Sequence, residues 1–396
     1  MTKSLRQLTA LFLCCLLILQ LCSCAVIPTV FLTSEPAPEP SSALTAEPTS
    51  EPTHASTPEP TPELVIPSIP ALEERYFISQ LSGNELDFCA LIYSGMLELE
   101  PKIDLSYIEG IDFERAQTLI QALFDDCPEL FMCTGEYTLW GIDHVSSAEF
   151  QYRLDKGCYD SAAAEISALT TSWQEAAAGF SDYDMAMFAY NEIAARCSYT
   201  ADTAMSDTAY GALIEGKALC QGYSKAFQLA MHAFGIPCLF VSSEELVHGW
   251  NIVLLDGEYY QLDLTWDDSG DMGTYTYFNM SDKMAEKYGH VYDRSPAWSY
   301  PACKSLDANY YSRNGLLIPI GVDVREVFIS ALDKIHANGG GRLTLMFESS
   351  DQLRELTEQQ RDWVYDWNRD KYLTVSYTRI IPEHNEYVYI ADFCFE

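Results

Sequence analysis

Three residues in the stretch 208–268 have the types and the order for thiol chemistry: Cys220, His248 and Asp263. A thiol is a strong nucleophile once a base takes its proton, and the base works best when a third group fixes its tautomer. Gly211 and Gly216 give turn signals ahead of Cys220. After it, Tyr223, Phe227, Leu229 or Ala230, Ala233 and Phe234 recur at steps of three and four. Those steps trace one apolar face of a helix. Gly235-Ile236-Pro237 ends it, because Pro237 cannot continue a helix and Gly235 suits a C-terminal cap. Cys220 is therefore expected at a helix N-terminus, where N–H groups and the dipole favour a thiolate.

The next segments must position the other two residues. Residues 238–242 and 248–255 read as strands, Asp256-Gly257 as a hairpin turn, and 259–265 as the partner strand. Such a hairpin sets His248 and Asp263 on neighbouring strands, and a helix packed on it brings Cys220 to His248. The expected orientation has Asp263 accepting the Nδ1 hydrogen of His248, leaving Nε2 for Cys220. Singly, each residue has an ordinary explanation. Buried cysteines are usually inert, and a histidine beside Trp250 can simply be packed. Asp263 is harder to dismiss, since a half-buried strand rarely carries an unpaired carboxylate.

The motifs read Gly216-x-Ala-Leu-Cys220-Gln221-Gly222-Tyr223-x-x-Ala226-Phe227, then His248-Gly249-Trp250-Asn251, then Tyr260-x-x-Asp263-x-Thr265-Trp266-Asp267. In register, they resemble the transglutaminase-like superfamily, a papain-like Cys-His-Asp group. The resemblance covers about residues 181–300 and includes Tyr277-Phe278-Asn279-Met280-Ser281. Gly249 stands where many relatives carry alanine. The resemblance implies an α+β fold with the catalytic helix on an antiparallel sheet. It also implies acyl transfer through a thioester on a protein or peptide amide, with an amine or water as acceptor and no cofactor or metal. The backbone N–H of Cys220 would help hold the oxyanion. Gln221, Tyr210, Trp250 and Trp266 are the candidates for the second donor and the cleft. A non-catalytic surface binding or scaffold lipoprotein using the same core is the alternative.

Flanking segments suggest five regions. Residues 1–23 read as a lipoprotein signal peptide: Lys3 and Arg6, an apolar run from Leu8 to Leu21, then Leu21-Cys22-Ser23-Cys24. That ending resembles a bacterial lipobox, with Cys24 the lipidated first residue of the mature chain. Residues 24–70 form a tether rich in Pro, Glu and Thr, with too little apolar surface for a core. Extended at about 3.1 Å per residue, positions 34–70 would reach about 115 Å. An α+β module is expected over 71–180, with helices at 86–99, 113–124 and 161–177 and strands at 137–142 and 150–154. Its Asp126-Cys127-Pro128-Glu129-Leu130-Phe131 resembles a segment ahead of the core in bacterial members. The core follows at 181–305, opened by a helix at 182–197 with Met185, Phe188, Ala189 and Ile193 as its packing positions. A small α/β appendage closes the chain at 306–396: strands at 316–319, 343–347, 373–380 and 387–395, helices at 324–337 and 353–368. The triple glycine from Gly339 lacks the Gly-Lys-Ser/Thr ending of a phosphate loop and reads as a turn.

A formal charge of −35 argues against nucleic-acid partners, which need a basic footprint. The expected partners are a protein or peptide substrate, cell-wall material among the candidates, and a membrane through the lipid anchor. Of thirteen cysteines, Cys14, Cys15 and Cys22 lie in the leader, and Cys24 and Cys220 have roles. The other eight, Cys89, Cys127, Cys133, Cys158, Cys197, Cys238, Cys303 and Cys394, lack paired Cys-x-x-Cys spacing, so no zinc site is expected. Most should be buried thiols, with one or two disulfides as the alternative that export permits. His290 with Asp293 lacks a third ligand, and Asp267 and Asp268 are expected to cap a turn before Gly270. Lipidation is checked by intact mass: from a host that lipidates its own lipoproteins, Cys24 should carry a diacyl or triacyl adduct. An unmodified N-terminus there would contradict the lipobox.

Overall fold

The computed structural model describes residues 69–268, 275–339, 341–369, 378–381 and 389–395. The leader, Cys24, nearly all of the tether, Gly270 and most of the residues expected as the strand at 373–380 lie outside them. The described residues fall into two compact units, with the boundary between Asp160 and Ser161.

In the first unit, helices Asn84–Leu97 and Phe113–Asp126 accompany an antiparallel sheet. Its strands β1 (Lys102–Asp104), β2 (Cys133–Gly141) and β3 (Val145–Tyr152) run in the order β1-β3-β2. Buried and partly exposed residues alternate along much of β2, as a one-faced strand requires. It begins four residues earlier than expected and passes a register shift after Cys133. Ile142, expected in the strand, is instead exposed in the turn. Asp126 is buried and takes the backbone N–H groups of Phe77 and Ile78, at 2.6 and 3.1 Å, so its role is to cap a neighbouring turn.

The second unit begins within helix Lys156–Ala176 and continues with helix Asp182–Arg196. Ser181 caps the latter by accepting the N–H of Asp184. Its buried stripe is Tyr183, Ala186, Ala189, Tyr190 and Ile193. Met185 and Phe188, expected inside, are only partly buried, and Phe188 packs edge-on to Trp173 and Phe180. Two short strands, β4 (Ser198–Tyr199) and β5 (Lys217–Ala218), pair in parallel and lead the chain into helix Cys220–Ala233. That helix ends with Gly235 at a φ of +76°, the left-handed conformation that closes helices.

The helix packs on the antiparallel sheet β6 (Cys238–Ser243), β7 (His248–Leu255) and β8 (Glu258–Leu262), in that order. The register pairs Ser243 with His248, Val241 with Trp250, and Asn251 with Leu262. Alternation along the strands then puts Phe240, Gly249 and Asn251 on the helix side and His248 and Trp250 on the other. Three buried side chains fasten the layers. The Ser224 hydroxyl donates toward the carbonyls of Cys220 and Gly249, both at 2.9 Å. Asn251 Nδ2 donates to the Ser224 carbonyl at 3.1 Å, and Gln228 Nε2 to the Cys238 carbonyl at 3.2 Å.

The remaining described strands, β9 (Leu317–Ile318), β10 (Gly341–Phe347), β11 (Thr378–Ile381) and β12 (Tyr389–Phe395), form a sheet ordered β11-β12-β10-β9. Helices Val324–Ala337 and Ser350–Asn368 pack with it around Phe328, Leu332, Leu345, Leu356 and Trp363. Met346 joins a separate cluster with Tyr277, Met280, Tyr288 and Tyr311.

Two glycines permit the close approaches around the Cys220 helix. A Cβ at Gly222 would lie 2.4 Å from the Ser206 carbonyl oxygen and 2.8 Å from the Ala218 Cβ. One at Gly249 would meet the tip of the Phe240 ring at 2.5 Å, so Phe240 fills the space that an alanine would need. Gly222→Ala should therefore destabilise the fold by about 1–3 kcal/mol, the usual scale of overpacking. Gly249→Ala should cost less, because a ring can turn where a backbone carbonyl cannot. Denaturant midpoints check both, and an unchanged midpoint for Gly222→Ala would contradict the tight seat of the helix.

Candidate functional site

Cys220 is the first residue of its helix and His248 the first residue of β7, so the two meet at one end of the helix–sheet layer. The N-cap residue, Leu219, brings no side-chain hydrogen bond to the first turn. Tight seating comes instead from the backbone, where the Leu219 N–H donates to the Ser206 carbonyl at 2.8 Å. Cys220 is 1% exposed, His248 6% and Asp263 1%.

His248 Nε2 hydrogen-bonds Asp263 Oδ2 at 2.6 Å, and the ring also hydrogen-bonds Cys220. With Nε2 committed to Asp263, Nδ1 is the nitrogen left for the thiol. This reverses the expected assignment of the two nitrogens. The reason is geometric: residue spacing sets which strands are neighbours, but not which edge of the imidazole faces each partner.

Asp263 also sits differently from expectation. Strand β8 ends at Leu262, and a short helix, Leu264–Asp268, starts immediately after Asp263. Asp263 Oδ1 accepts the N–H of Trp266 at 3.2 Å, as a helix-capping aspartate does. Its backbone N–H donates to the Tyr277 carbonyl at 3.0 Å. Oδ2 accepts a second donor besides His248: His290 Nε2, at 2.8 Å. The sequence offered no sign of that contact. Asp293, the partner considered for His290, instead accepts the N–H of Glu244.

Electrostatics follow from this burial. Desolvation alone would lower the pKa of His248, but ionised Asp263, its hydrogen bond and the contact with Cys220 raise it to about 10. Burial would raise the Asp263 carboxyl. The charge and hydrogen bond of His248, together with His290, hold it well below the usual carboxylate range. The His248 ring lies roughly parallel to Trp266 and Trp250, with centroids 5.2 and 5.8 Å away. Those faces favour a cationic imidazole.

The other sequence candidates separate. The Trp250 indole N–H donates to Gln261 Oε1 at 2.9 Å, and the Tyr210 hydroxyl engages Glu165. Gln221 stays beside Cys220 in the first turn of the helix, and Trp266 covers the histidine ring. The turn before Gly270, with Asp267 and Asp268 as its expected caps, lies outside the described residues. Asp267 is described in another setting: it is buried and accepts the Tyr190 hydroxyl and the N–H groups of Thr276 and Tyr277. Asp268 accepts the Tyr223 hydroxyl at 2.5 Å.

His248, Asp263 and His290 have the composition of a metal site, with ligating atoms within 4.8 Å of one another. Their N···O separations of 2.6 and 2.8 Å are those of hydrogen bonds. Ligands about 2.1 Å from one ion would stand farther apart, about 3 Å or more. The trio fits two imidazole donors sharing one carboxylate acceptor better than an ion.

Residues 172–264 match the core model of the transglutaminase-like superfamily. No curated protein matches the chain. Among solved structures, a candidate cysteine protease from Cytophaga hutchinsonii aligns at 12% identity over 31% of this chain and 51% of its own, with a TM-score of 0.22. A structure described as a TGase aligns at 16% identity over 64% of this chain and 65% of its own, with a TM-score of 0.25. The chain thus spans about half to two thirds of those two proteins, at TM-scores too low to bear on chemistry.

The raised His248 pKa has a sign that stability measurements can check. Below its ordinary value of 6.5 both folded and unfolded rings hold a proton, and the stabilisation is complete. It is lost as pH rises through the raised folded value, where the folded ring releases its proton. A Cys220 thiol ionised in the fold would mask this, since the unfolded thiol then carries the matching proton. In Cys220→Ala, unfolding free energy should therefore fall as pH rises above about 6.5. Cys220→Ala/His248→Gln should lack that slope, and equal slopes would contradict the raised pKa.

Proposed function

We propose that the transglutaminase-like core at residues 172–264 works as a cysteine acyltransferase or amidase, with Cys220 as nucleophile, His248 as acid–base group and Asp263 orienting it. What carries this is the buried chain of contacts from Cys220 through His248 to an ionised carboxylate. His248 holds the thiol's proton on Nδ1, giving a thiolate–imidazolium pair. The thiolate attacks the carbonyl carbon of a protein or peptide amide, and a C–S bond forms as the carbonyl electrons move to oxygen. The Cys220 backbone N–H and the helix N-terminus stabilise that oxyanion, with Gln221, next to Cys220 in the chain, a candidate for the second donor.

Collapse of the tetrahedral intermediate breaks the C–N bond. The departing amine takes the Nδ1 proton of His248, and a thioester remains on Cys220. Neutral His248 then accepts a proton from an incoming amine or water as it attacks. Release of the thiolate restores the ion pair, and the product is a new amide or an acid. Trp266 and Trp250 on the imidazole favour its cationic form through each cycle. The same proposal has the head held outside the cell by lipidated Cys24 and the 24–70 tether, acting on protein or peptide amides there.

The test is to trap the acyl-enzyme from a peptide amide library and read the adduct by mass spectrometry. Acylated Cys220 is expected in the parent and none in Cys220→Ala. Asp263→Asn should lower turnover on the order of 10²-fold or more. A parent that never acylates, and whose Cys220 reacts with iodoacetamide no faster than an ordinary thiol, would instead favour a binding or scaffold role.

A further inference from the structure

We infer that His290 is a positioning residue for the proposed triad, holding the Asp263 carboxylate through the same oxygen that engages His248. This rests on the proposed role of Cys220, His248 and Asp263. It adds a fourth member from beyond the segment that matches the family model.

His290 is delivered by a helix ending. Helix Asp282–Lys287 stops at Tyr288, and Gly289 takes a φ of +85°. The Gly289 N–H donates to the Glu286 carbonyl at 3.0 Å and the His290 N–H to the Ala285 carbonyl at 2.8 Å. These two bonds about a left-handed residue are a Schellman closure. The residue after that glycine ordinarily makes an apolar contact; here it is a histidine with a side chain 0% exposed. Its ring lies 4.2 Å from Trp266, 5.1 Å from Trp250 and 5.1 Å from Tyr277, centroid to centroid.

A ring held only for its bulk would not need a polar atom aimed at a carboxylate. Nε2 of His290 reaches Asp263 Oδ2 at 2.8 Å, whereas its buried Nδ1 has no hydrogen-bond partner. The ring therefore places its hydrogen on Nε2 and serves as a one-donor group. A buried carboxylate needs its lone pairs filled. The Trp266 N–H fixes Oδ1, and His248 alone would leave Oδ2 free to swing about that anchor. The second donor stops the swing and fixes the plane in which His248 must lie. Trp266 and Trp250 contact both histidine rings, so the two imidazoles and the carboxylate are packed as one body.

The test follows the rate of Cys220 modification by iodoacetamide at neutral pH in the full chain, with the modified residue identified by peptide mass spectrometry. His290→Leu should slow modification on the order of tenfold, the scale for removing an outer-shell hydrogen-bond partner. His290→Gln, which can return an amide donor to the same place, should recover most of that loss. In an Asp263→Asn background, His290→Leu should cost nothing further, because the carboxylate it serves is gone. Parent-like modification of His290→Leu, a His290→Gln as slow as His290→Leu, or additive losses would each overturn the inference while leaving the triad standing. If parent Cys220 reacts no faster than Cys220 in His248→Ala, the triad fails and the inference with it. Should His290→Leu not fold, imidazole nitrogen NMR of the parent decides. His290 protonated on Nε2 is expected, and His290 protonated on Nδ1 overturns the assignment.

Discussion

The site depends on keeping one carboxylate charged where water cannot reach it. Asp263 is 1% exposed, and an isolated buried carboxylate would neutralise instead of staying ionised. Three N–H groups prevent that: Trp266 on Oδ1, and His248 and His290 on Oδ2. Each comes from a different part of the chain. One is the first turn of a short helix, one the start of β7, and one the end of helix Asp282–Lys287. The charge they hold in place, with the contact to Cys220, raises the pKa of His248 against its burial.

The surroundings can be understood as support for that arrangement. Ser224, Gln228 and Asn251 tie the Cys220 helix to the sheet through buried hydrogen bonds, so the thiol cannot drift from the imidazole. Gln261 accepts the Trp250 indole N–H and donates its own amide hydrogen to Asp282, at the head of the helix whose closure delivers His290. Asp267 uses the Tyr190 hydroxyl and two backbone N–H groups to hold the segment whose Tyr277 carbonyl receives the Asp263 N–H. Such networks stiffen a site when every member is satisfied. On the far side, Met346 of β10 packs with Tyr277 and Tyr288, so the C-terminal sheet bears on the residues flanking His290.

Much of this was legible in the sequence wherever the signal is local. The three-and-four spacing after Cys220, the Gly235 stop and the Asp256-Gly257 turn locate the helix and hairpin to within a few residues. Legibility fails where a partner is distant or an edge must be chosen. The nitrogen of His248 facing Asp263 depends on ring orientation, which no spacing encodes. The pattern around Asp263 reads as strand, yet Asp263 caps the next turn, and an aspartate ahead of Leu-Thr-Trp is a usable cue. In the helix Asp182–Arg196, apolar character points to Met185, Phe188, Ala189 and Ile193 as packing positions, and of these only Ala189 and Ile193 are buried. The buried face is instead set by Tyr190, whose hydroxyl must reach Asp267. The contact of His290 with Asp263 has no local signal, because only the Schellman closure after Tyr288 carries the ring to the carboxylate.

In the proposed mechanism, burial of Asp263 against His248 leaves the proton of Cys220 on the imidazole. Its most direct test is a pH titration of thiolate ultraviolet absorbance, taken as the difference between the parent and Cys220→Ser. Thiolate should be present at neutral pH and persist well below the ordinary thiol value of about 8.5. Thiolate that appears only at or above that value would contradict the ion pair and, with it, the account of the site.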